Sequence, residues 1–175
     1  MQIDNFKHED NWQDIKNSTM NTINKNTGKY PDSTWKRKLI MSEHSPIRRM
    51  KFYWRWCELK SWVSVHMVRH KIGIEHWVST QRPDRTNDQD RNRDKLPQGA
   101  LVNHACEADA QALINISRKR LCNCAAPKII YLHFYTSNFL ISSTNDEITL
   151  SSIVIACTFT FSPFYICQQI TGFIF

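Results

Sequence analysis

The spacing of apolar residues divides the first two thirds of the chain into short elements. Trp12, Ile15, Thr19 and Ile23 recur at helical intervals and predict a helix over Asn11 to Asn26. Gly28, Pro31 and Asp32 mark a turn, and Ser33 to Met41 (STWKRKLIM) predicts a short helix. Ser45-Pro46 opens an extended run, because the residue before a proline avoids the α region. Lys51 to Trp56 (KFYWRW) alternates aromatic rings with charge and reads as a strand. Glu58 to Lys71 reads as a helix with Trp62, Val63, Met67 and His70 at helical spacing; Arg69-His70-Lys71 ends it and Gly73 lies just beyond. Ile74 to Thr80 predicts a strand, and Arg82 to Asp94 a polar loop dense in Arg and Asp. Glu107 to Leu121 predicts a helix whose Ala110, Leu113, Ile116 and Leu121 face a core. Met1 to Asp10 is polar and charged, without the pattern of a signal peptide.

The pattern changes at Lys128. All 23 Lys and Arg lie at or before that position, whereas Ile129 to Phe175 carries only Asp146 and Glu147. Residues 1–128 therefore hold a net charge of +9 and residues 129–175 of −2. The first segment is long enough to bury a core and is expected to form one domain. Its basic balance favours anionic partners and says nothing of fold. For 129–175 three readings stay open. Ser151 to Ile166 is β-branched and aromatic and suits strands. Ile148 to Phe175 is uncharged and long enough to span a bilayer, although its Ser and Thr content, Pro163 and the lack of a Lys or Arg flank oppose that. The third reading is translation beyond a frameshift or through an unspliced intron. With no leader pattern, the six cysteines are read as free thiols of a reducing cytoplasm.

Several groups carry chemistry, and each also has a structural explanation. Arg69, His70 and Lys71 crowd a helix C-terminus, where cations complement the dipole, but they also suit a phosphate or flavin. Thr80-Gln81-Arg82 offers a hydroxyl, an amide and a guanidinium to a nucleotide phosphate, or is a solvated loop edge. Arg93 precedes Leu96-Pro97 and has Asp90 and Asp94 as alternative ion-pair partners. On the last helix, Asp109 and Arg120 lie eleven residues apart and share a face, with Gln111 and Asn115 projecting nearby. His104-x-Cys106 and Cys122-x-Cys124 have one-residue gaps, poor for structural zinc, so no metal is expected and the cysteines read as packing residues. There is no Gly-rich phosphate loop, and the chain has four glycines.

These groups together resemble the flavin-dependent thymidylate synthase family. That family carries Arg-His-Arg followed by Ser-x-Arg; here stand Arg69-His70-Lys71 and, one residue late, Thr80-Gln81-Arg82. Glu43-His44-Ser45-Pro46 resembles its His-x-Ser/Thr-Pro element, and Arg93-x-x-Leu96-Pro97 its Arg-x-x-Leu-Pro. Asp109-Ala110-Gln111-Ala112-Leu113-Ile114-Asn115 resembles its Asn-Ala-Arg-Ser-Leu-x-Asn helix, with Arg120 at the position of the key arginine. The short Pro83 to Asn92 connection suggests a phage-type branch, and the match stops near Lys128, with the C-terminal part truncated or replaced.

The resemblance implies an α+β fold and an enzyme that methylates dUMP reductively to dTMP, with FAD as cofactor and NADPH and methylenetetrahydrofolate as co-substrates. It implies FAD contacts from Ser45, Arg69, His70, Lys71, Asp109, Gln111 and Asn115. It implies dUMP contacts from His66, Arg69, Thr80, Arg82, Arg93 and Arg120, with Arg120 polarising the uracil ring. It also implies a homotetramer with sites between subunits, and no membrane partner. The sequence departs from the family at Lys71 and Gln111, each in place of Arg, and at Asp109 in place of Asn. Two alternatives stand beside it: a basic nucleic-acid-binding module, using the aromatic and cationic residues of Lys51 to Arg55 with Arg82 to Arg93, and an inactive, misterminated paralogue.

Overall fold

A computed structural model describes residues 2–86, 90 and 92–120. The tail 129–175, the end of the last expected helix at Leu121 and the pair Cys122 and Cys124 lie outside the described residues. The chain runs β1 (Gln2–Glu9), α1 (Trp12–Asn21), α2 (Ser33–Met41), a 3₁₀ turn (Ser45–Arg49), β2 (Lys51–Lys60), α3 (Ser61–Met67), β3 (Ile74–Val78), α4 (Pro83–Thr86), a second 3₁₀ turn (Arg93–Lys95), β4 (Leu101–Asp109) and α5 (Ala110–Arg120). The four strands form one sheet in the order β1-β2-β4-β3, all pairs antiparallel. Helices plus an antiparallel sheet bear out the α+β expectation.

The sheet has a buried face and a more exposed one, and register decides which residue goes where. In β2 the rings of Phe52, Trp54 and Trp56 alternate inward and are buried, while Lys51, Tyr53 and Arg55 point the other way. Directly across the ladder, Phe52 faces Ala108, Trp54 faces Cys106 and Trp56 faces His104. One strand further, Ile74 faces Ala108 and His76 faces Cys106. Thus the small side chains of Ala108 and Cys106 leave room for Phe52 and Trp54, while Trp56 packs edge-on against the His104 ring, 5.2 Å between centroids. Trp12 and Ile15 of α1, Leu39 and Ile40 of α2, Val63 and Met67 of α3, and Ile114 and Ile116 of α5 share this core. Each buried ring removes roughly 150–250 Å² from water, on the order of 4–6 kcal/mol before entropy is charged against it.

Two strands were not predicted from the sequence. The segment Gln2–Glu9, for which the sequence predicted no element, is an edge strand, and only Ile3 of it is buried. Leu101–Asp109 is the second central strand, so the last helix begins at Ala110 rather than Glu107. Likewise Glu58–Lys60 continue β2 past a bulge with Glu58 at φ +56°, and α3 starts at Ser61 and ends at Met67. Ser45–Arg49 is a 3₁₀ turn instead of an extended run. Proline near the start of a helical turn forfeits an N–H that has no partner there anyway. The extended conformation is taken one residue earlier, by His44.

Candidate functional site

Helix α5 carries the expected site residues, and its start is fixed by Asp109. The Asp109 carboxylate is nearly buried and its Oδ1 accepts from the Ala112 N–H at 2.7 Å, the role of an N-cap. Its backbone N–H donates to the Gly73 carbonyl at 2.8 Å. Gly73 has φ +72°, and a Cβ there would sit 2.6 Å from Asp109 Oδ2. Asp109 therefore does not share the helix face with Arg120, as the spacing had suggested; it ends β4 and points its charge into the helix start.

At the other end of α5, Arg120 docks on α3 and the turn after it. Its Nε–H donates to His70 Nε2 at 2.8 Å, and its Nη2 donates to the His66 carbonyl at 2.9 Å. Since Nε2 of His70 accepts, the neutral ring carries its proton on Nδ1. Burial, helped by the Arg120 and Lys119 charges and by His76, holds the His70 pKa down at about 4. A neutral imidazole is what a guanidinium neighbour requires. The His66 ring stands edge-on to Trp62, 6.0 Å between centroids. Arg69 and Lys71 flank His70 and are exposed.

A second cluster joins the middle of α5 to the loop before the first 3₁₀ turn. Gln111 Nε2 donates to Glu43 Oε2 at 2.7 Å and lies 3.4 Å from Asn115 Oδ1. Arg118 donates to both Glu43 oxygens, with Nη1 3.0 Å from Oε2. Burial works to raise the Glu43 pKa, yet the hydrogen bonds from Arg118 and Gln111 and the Arg118 charge leave it below its ordinary value. Ser45 is exposed two residues on, and His44 Nδ1 is buried without a partner among the described residues. Glu43, at φ +50°, is thus the anchor that brings the expected FAD residues Ser45, Gln111 and Asn115 into one neighbourhood. The sequence placed Glu43 only in the element before Ser45-Pro46, with no partner, and gave Arg118 no role.

Thr80, Arg82 and Arg93 lie apart from these clusters. Thr80 Oγ1 accepts from the Arg82 N–H at 3.2 Å, and the Arg82 fork closes on Asp84 at 3.0 and 2.7 Å. Arg93 is exposed at the start of the second 3₁₀ turn. No hydrogen bond among the described residues ties these three to Arg120 or His70. The aromatic alternation of β2 is no stacking platform for bases, because Phe52, Trp54 and Trp56 are core residues and only Tyr53 is on the other face. On that face a shallow cavity of about 330 Å³ is lined by Lys7, His8, Lys51, Tyr53 and Glu107 among others, and none of the expected site residues lines it.

No protein-family profile matches the sequence, and no curated protein matches it either. Solved structures do match. Thymidylate synthase X from Helicobacter pylori, crystallised with FAD and dUMP, superposes with a TM-score of 0.64 at 12% identity over 90% of this chain and 100% of that one. The UMP/dUMP methylase PolB from Streptomyces cacaoi, bound with 5-Br dUMP, gives 0.63 at 11% identity over 88% and 95%. A second complex of the Helicobacter pylori enzyme with FAD and dUMP gives 0.58 at 13% identity over 85% and 96%. The fold is that of flavin-dependent thymidylate synthases. At these identities the likeness establishes the architecture. The site must be argued from this chain's own residues, above all from Arg120, which the thymidylate synthase fold brings onto His70 across fifty residues of sequence. Among the described residues, no helix is long and apolar enough to cross a membrane.

Proposed function

We propose that this chain is a flavin-dependent thymidylate synthase, methylating dUMP to dTMP with methylenetetrahydrofolate and NADPH as co-substrates and FAD as cofactor. The observation that carries the reading is the clamp on Arg120. His70 Nε2 and the His66 carbonyl fix the guanidinium at the end of α5, in a fold shared with two dUMP- or dUMP-analogue-bound proteins. A permanent, oriented cation beside a uracil O2/N3 edge stabilises negative charge on the ring and raises the nucleophilicity of C5. Because His70 stays neutral, it does not compete with Arg120 for that charge.

The residues present fit a phosphate-rich flavin nucleotide. Arg69 and Lys71 offer exposed cations, Ser45 a hydroxyl, and His44 a buried ring nitrogen in need of a partner. The Asp109 carboxylate, which would repel a phosphate, is spent on the N-terminus of α5. When bound, the flavin supplies hydride chemistry. The protein's own part is to hold the pyrophosphate with Arg69, His70 and Lys71, to take the flavin's other contacts with Ser45, Gln111 and Asn115, and to grip the dUMP phosphate with Thr80, Arg82 and Arg93. The proposed enzyme is a homotetramer with sites built between subunits. Asp109 then acts on the site by positioning α5.

The test is reconstitution of the full chain with FAD, followed by tritium release from 5-tritiated dUMP in the presence of NADPH and methylenetetrahydrofolate. A yellow protein that releases tritium is the expected result. A chain that takes up neither FAD nor dUMP overturns the proposal.

A further inference from the structure

Beneath the Arg120 clamp lies a group of side chains that the proposed reaction does not use. His76 of β3 and His104 and Cys106 of β4 occupy neighbouring positions on the inner face of the sheet, His76 directly across from Cys106. His76 Nδ1 is 2.9 Å from His104 Nε2 and 3.3 Å from Cys106 Sγ, and the three atoms lie within 4.8 Å of one another. We propose that His76, His104 and Cys106 bind a zinc-type, thiophilic transition-metal ion.

The first argument is a count of lone pairs. His76 Nε2 faces the His70 carbonyl at 2.7 Å, and a carbonyl only accepts, so Nε2 carries the proton. The neutral ring then has a single lone pair, on Nδ1. Two donors converge on it, the His104 Nε2–H and the Cys106 S–H. One ring lone pair serves one good hydrogen bond, so without a cation the group is over-supplied with protons. A cation reverses this, since all three atoms then present a lone pair to one centre.

The second argument is the outer ring of partners. A histidine bound to a metal through one nitrogen needs an oxygen to take the N–H of the other. His76 has the His70 carbonyl at 2.7 Å, and His104 Nδ1 has the buried Ser64 hydroxyl at 3.0 Å. Both oxygens are in place. Two imidazoles and a thiolate select zinc-like ions over calcium or magnesium, and leave a fourth position for water. Zinc at ordinary bond lengths asks for donor separations of roughly 3.3–3.6 Å. His76 Nδ1 must therefore part from its two neighbours by a few tenths of an ångström, while His104 Nε2 and Cys106 Sγ, within 4.8 Å of one another, draw together by up to about 1 Å. His76 is half-buried on the edge strand and gives the ion its way in.

Binding releases one proton, from the Cys106 thiol to solvent, and forms the metal–sulfur bond. The His104 proton moves from Nε2 to Nδ1, and the Ser64 hydroxyl turns from donor to acceptor. No oxidant or reductant is involved. The ion ties β3 to β4 and, through the His70 carbonyl, steadies the turn that carries the clamp. The spacing rule that set aside His104-x-Cys106 applies to loops; on a strand, residues two apart share a face.

The experiment uses the full chain, stripped with a chelator and titrated with Co²⁺. Expected are one tightly bound equivalent with a thiolate-to-cobalt charge-transfer band, displacement by Zn²⁺, and a Zn²⁺-dependent rise in Tm. The band is lost in Cys106→Ser and kept in Cys57→Ser. Ser64→Ala should weaken cobalt affinity about tenfold. Should Cys106→Ser fail to fold, His76→Gln on the edge strand serves instead and must also weaken cobalt binding at least tenfold. No band in the wild type, or a band unchanged in Cys106→Ser or His76→Gln, overturns the proposal. Neither result depends on flavin or dUMP binding.

Discussion

Arg120 donates its Nε–H to the Nε2 of His70 at 2.8 Å, which fixes both the charge and the tautomer of the histidine. The pKa of His70 is accordingly held at about 4 against the ordinary 6.5, by burial first and then by Arg120, Lys119 and His76. Between these values the unfolded chain binds more protons than the folded one, so stability rises with pH across that window. The contribution is complete above about pH 6.5 and is lost as pH falls toward 4. With partial solvent screening it amounts to about 1–2 kcal/mol. Urea midpoints taken at pH 7 and pH 5 should show the loss, and His70→Asn should reduce it without abolishing it, because burial and then His76 hold the His104 pKa at about 4 as well; a wild-type midpoint that rises on acidification contradicts this account.

The clamp also predicts an asymmetry between two replacements of Arg120. Lysine keeps the charge but cannot reach a ring nitrogen and a carbonyl with one planar fork. Arg120→Lys and Arg120→Ala should therefore both lower kcat for dUMP methylation, by about 10²–10³-fold, rather than lysine rescuing activity. Steady-state tritium release measures it. Near-wild-type turnover in Arg120→Lys would mean that charge alone is needed.

The α1 and α2 segments were legible because Trp12, Ile15, Leu39 and Ile40 follow a simple helical stripe with Asn11 and Asp32 as caps. β4 was not. Of its inward positions only Val102 is a sizeable hydrophobe; His104, Cys106 and Ala108 carry little hydrophobic signal, and they are small or polar because Trp56, Trp54 and Phe52 face them. β1 was missed for the opposite reason: an edge strand buries only Ile3 and keeps charge on the rest, as edges do. The site followed the same division. Arg120, His70 and Gln111 were singled out through a resemblance carried by polar residues, whereas the bonds by which Glu43 gathers Gln111 and Arg118 from 68 and 75 residues away appear only once the chain is folded.

Gly73 and Asp109 form a coupled pair. Gly73→Ala meets both a positive φ and a carboxylate oxygen 2.6 Å from the new Cβ, and should cost about 2–4 kcal/mol. Asp109→Asn keeps a capping oxygen and should cost under about 1 kcal/mol, whereas Asp109→Ala should cost about 1–2 kcal/mol. In the double variant Gly73→Ala/Asp109→Ala the loss should be smaller than the sum, because the clash goes with the carboxylate. Strict additivity in denaturant titrations would show that the two residues do not touch in solution.

Glu43 offers a further check on how α5 is held. Glu43→Ala removes the acceptor for Arg118 and Gln111 together and leaves a half-buried guanidinium without its carboxylate, a cost of about 1–3 kcal/mol. Glu43→Gln keeps one acceptor oxygen and should recover part of this. If flavin contacts depend on the same neighbourhood, FAD affinity should fall in the same order, wild type, then Gln, then Ala. Thermal melts and flavin fluorescence titrations read the two effects separately, and equal Tm values for all three proteins would deny Glu43 its anchoring role.

The state of Arg82 carries the sharpest prediction about substrate. Its guanidinium is closed on Asp84 in a bidentate pair that is more than half exposed on both sides. A nucleotide phosphate wants the same fork, so binding dUMP there means first parting Arg82 from Asp84. An exposed pair of this kind holds by at most about 1 kcal/mol. Asp84→Asn should therefore tighten dUMP binding, by up to about fivefold, with the effect shrinking as salt screens the original pair. Arg82→Ala should weaken binding, and adding Asp84→Asn to it should change nothing further, since the aspartate acts only through the arginine. Calorimetric titration of the four proteins at low and high salt completes the cycle. Tightening by Asp84→Asn even without Arg82 would show that Asp84 repels the phosphate directly and that the fork is not its handle.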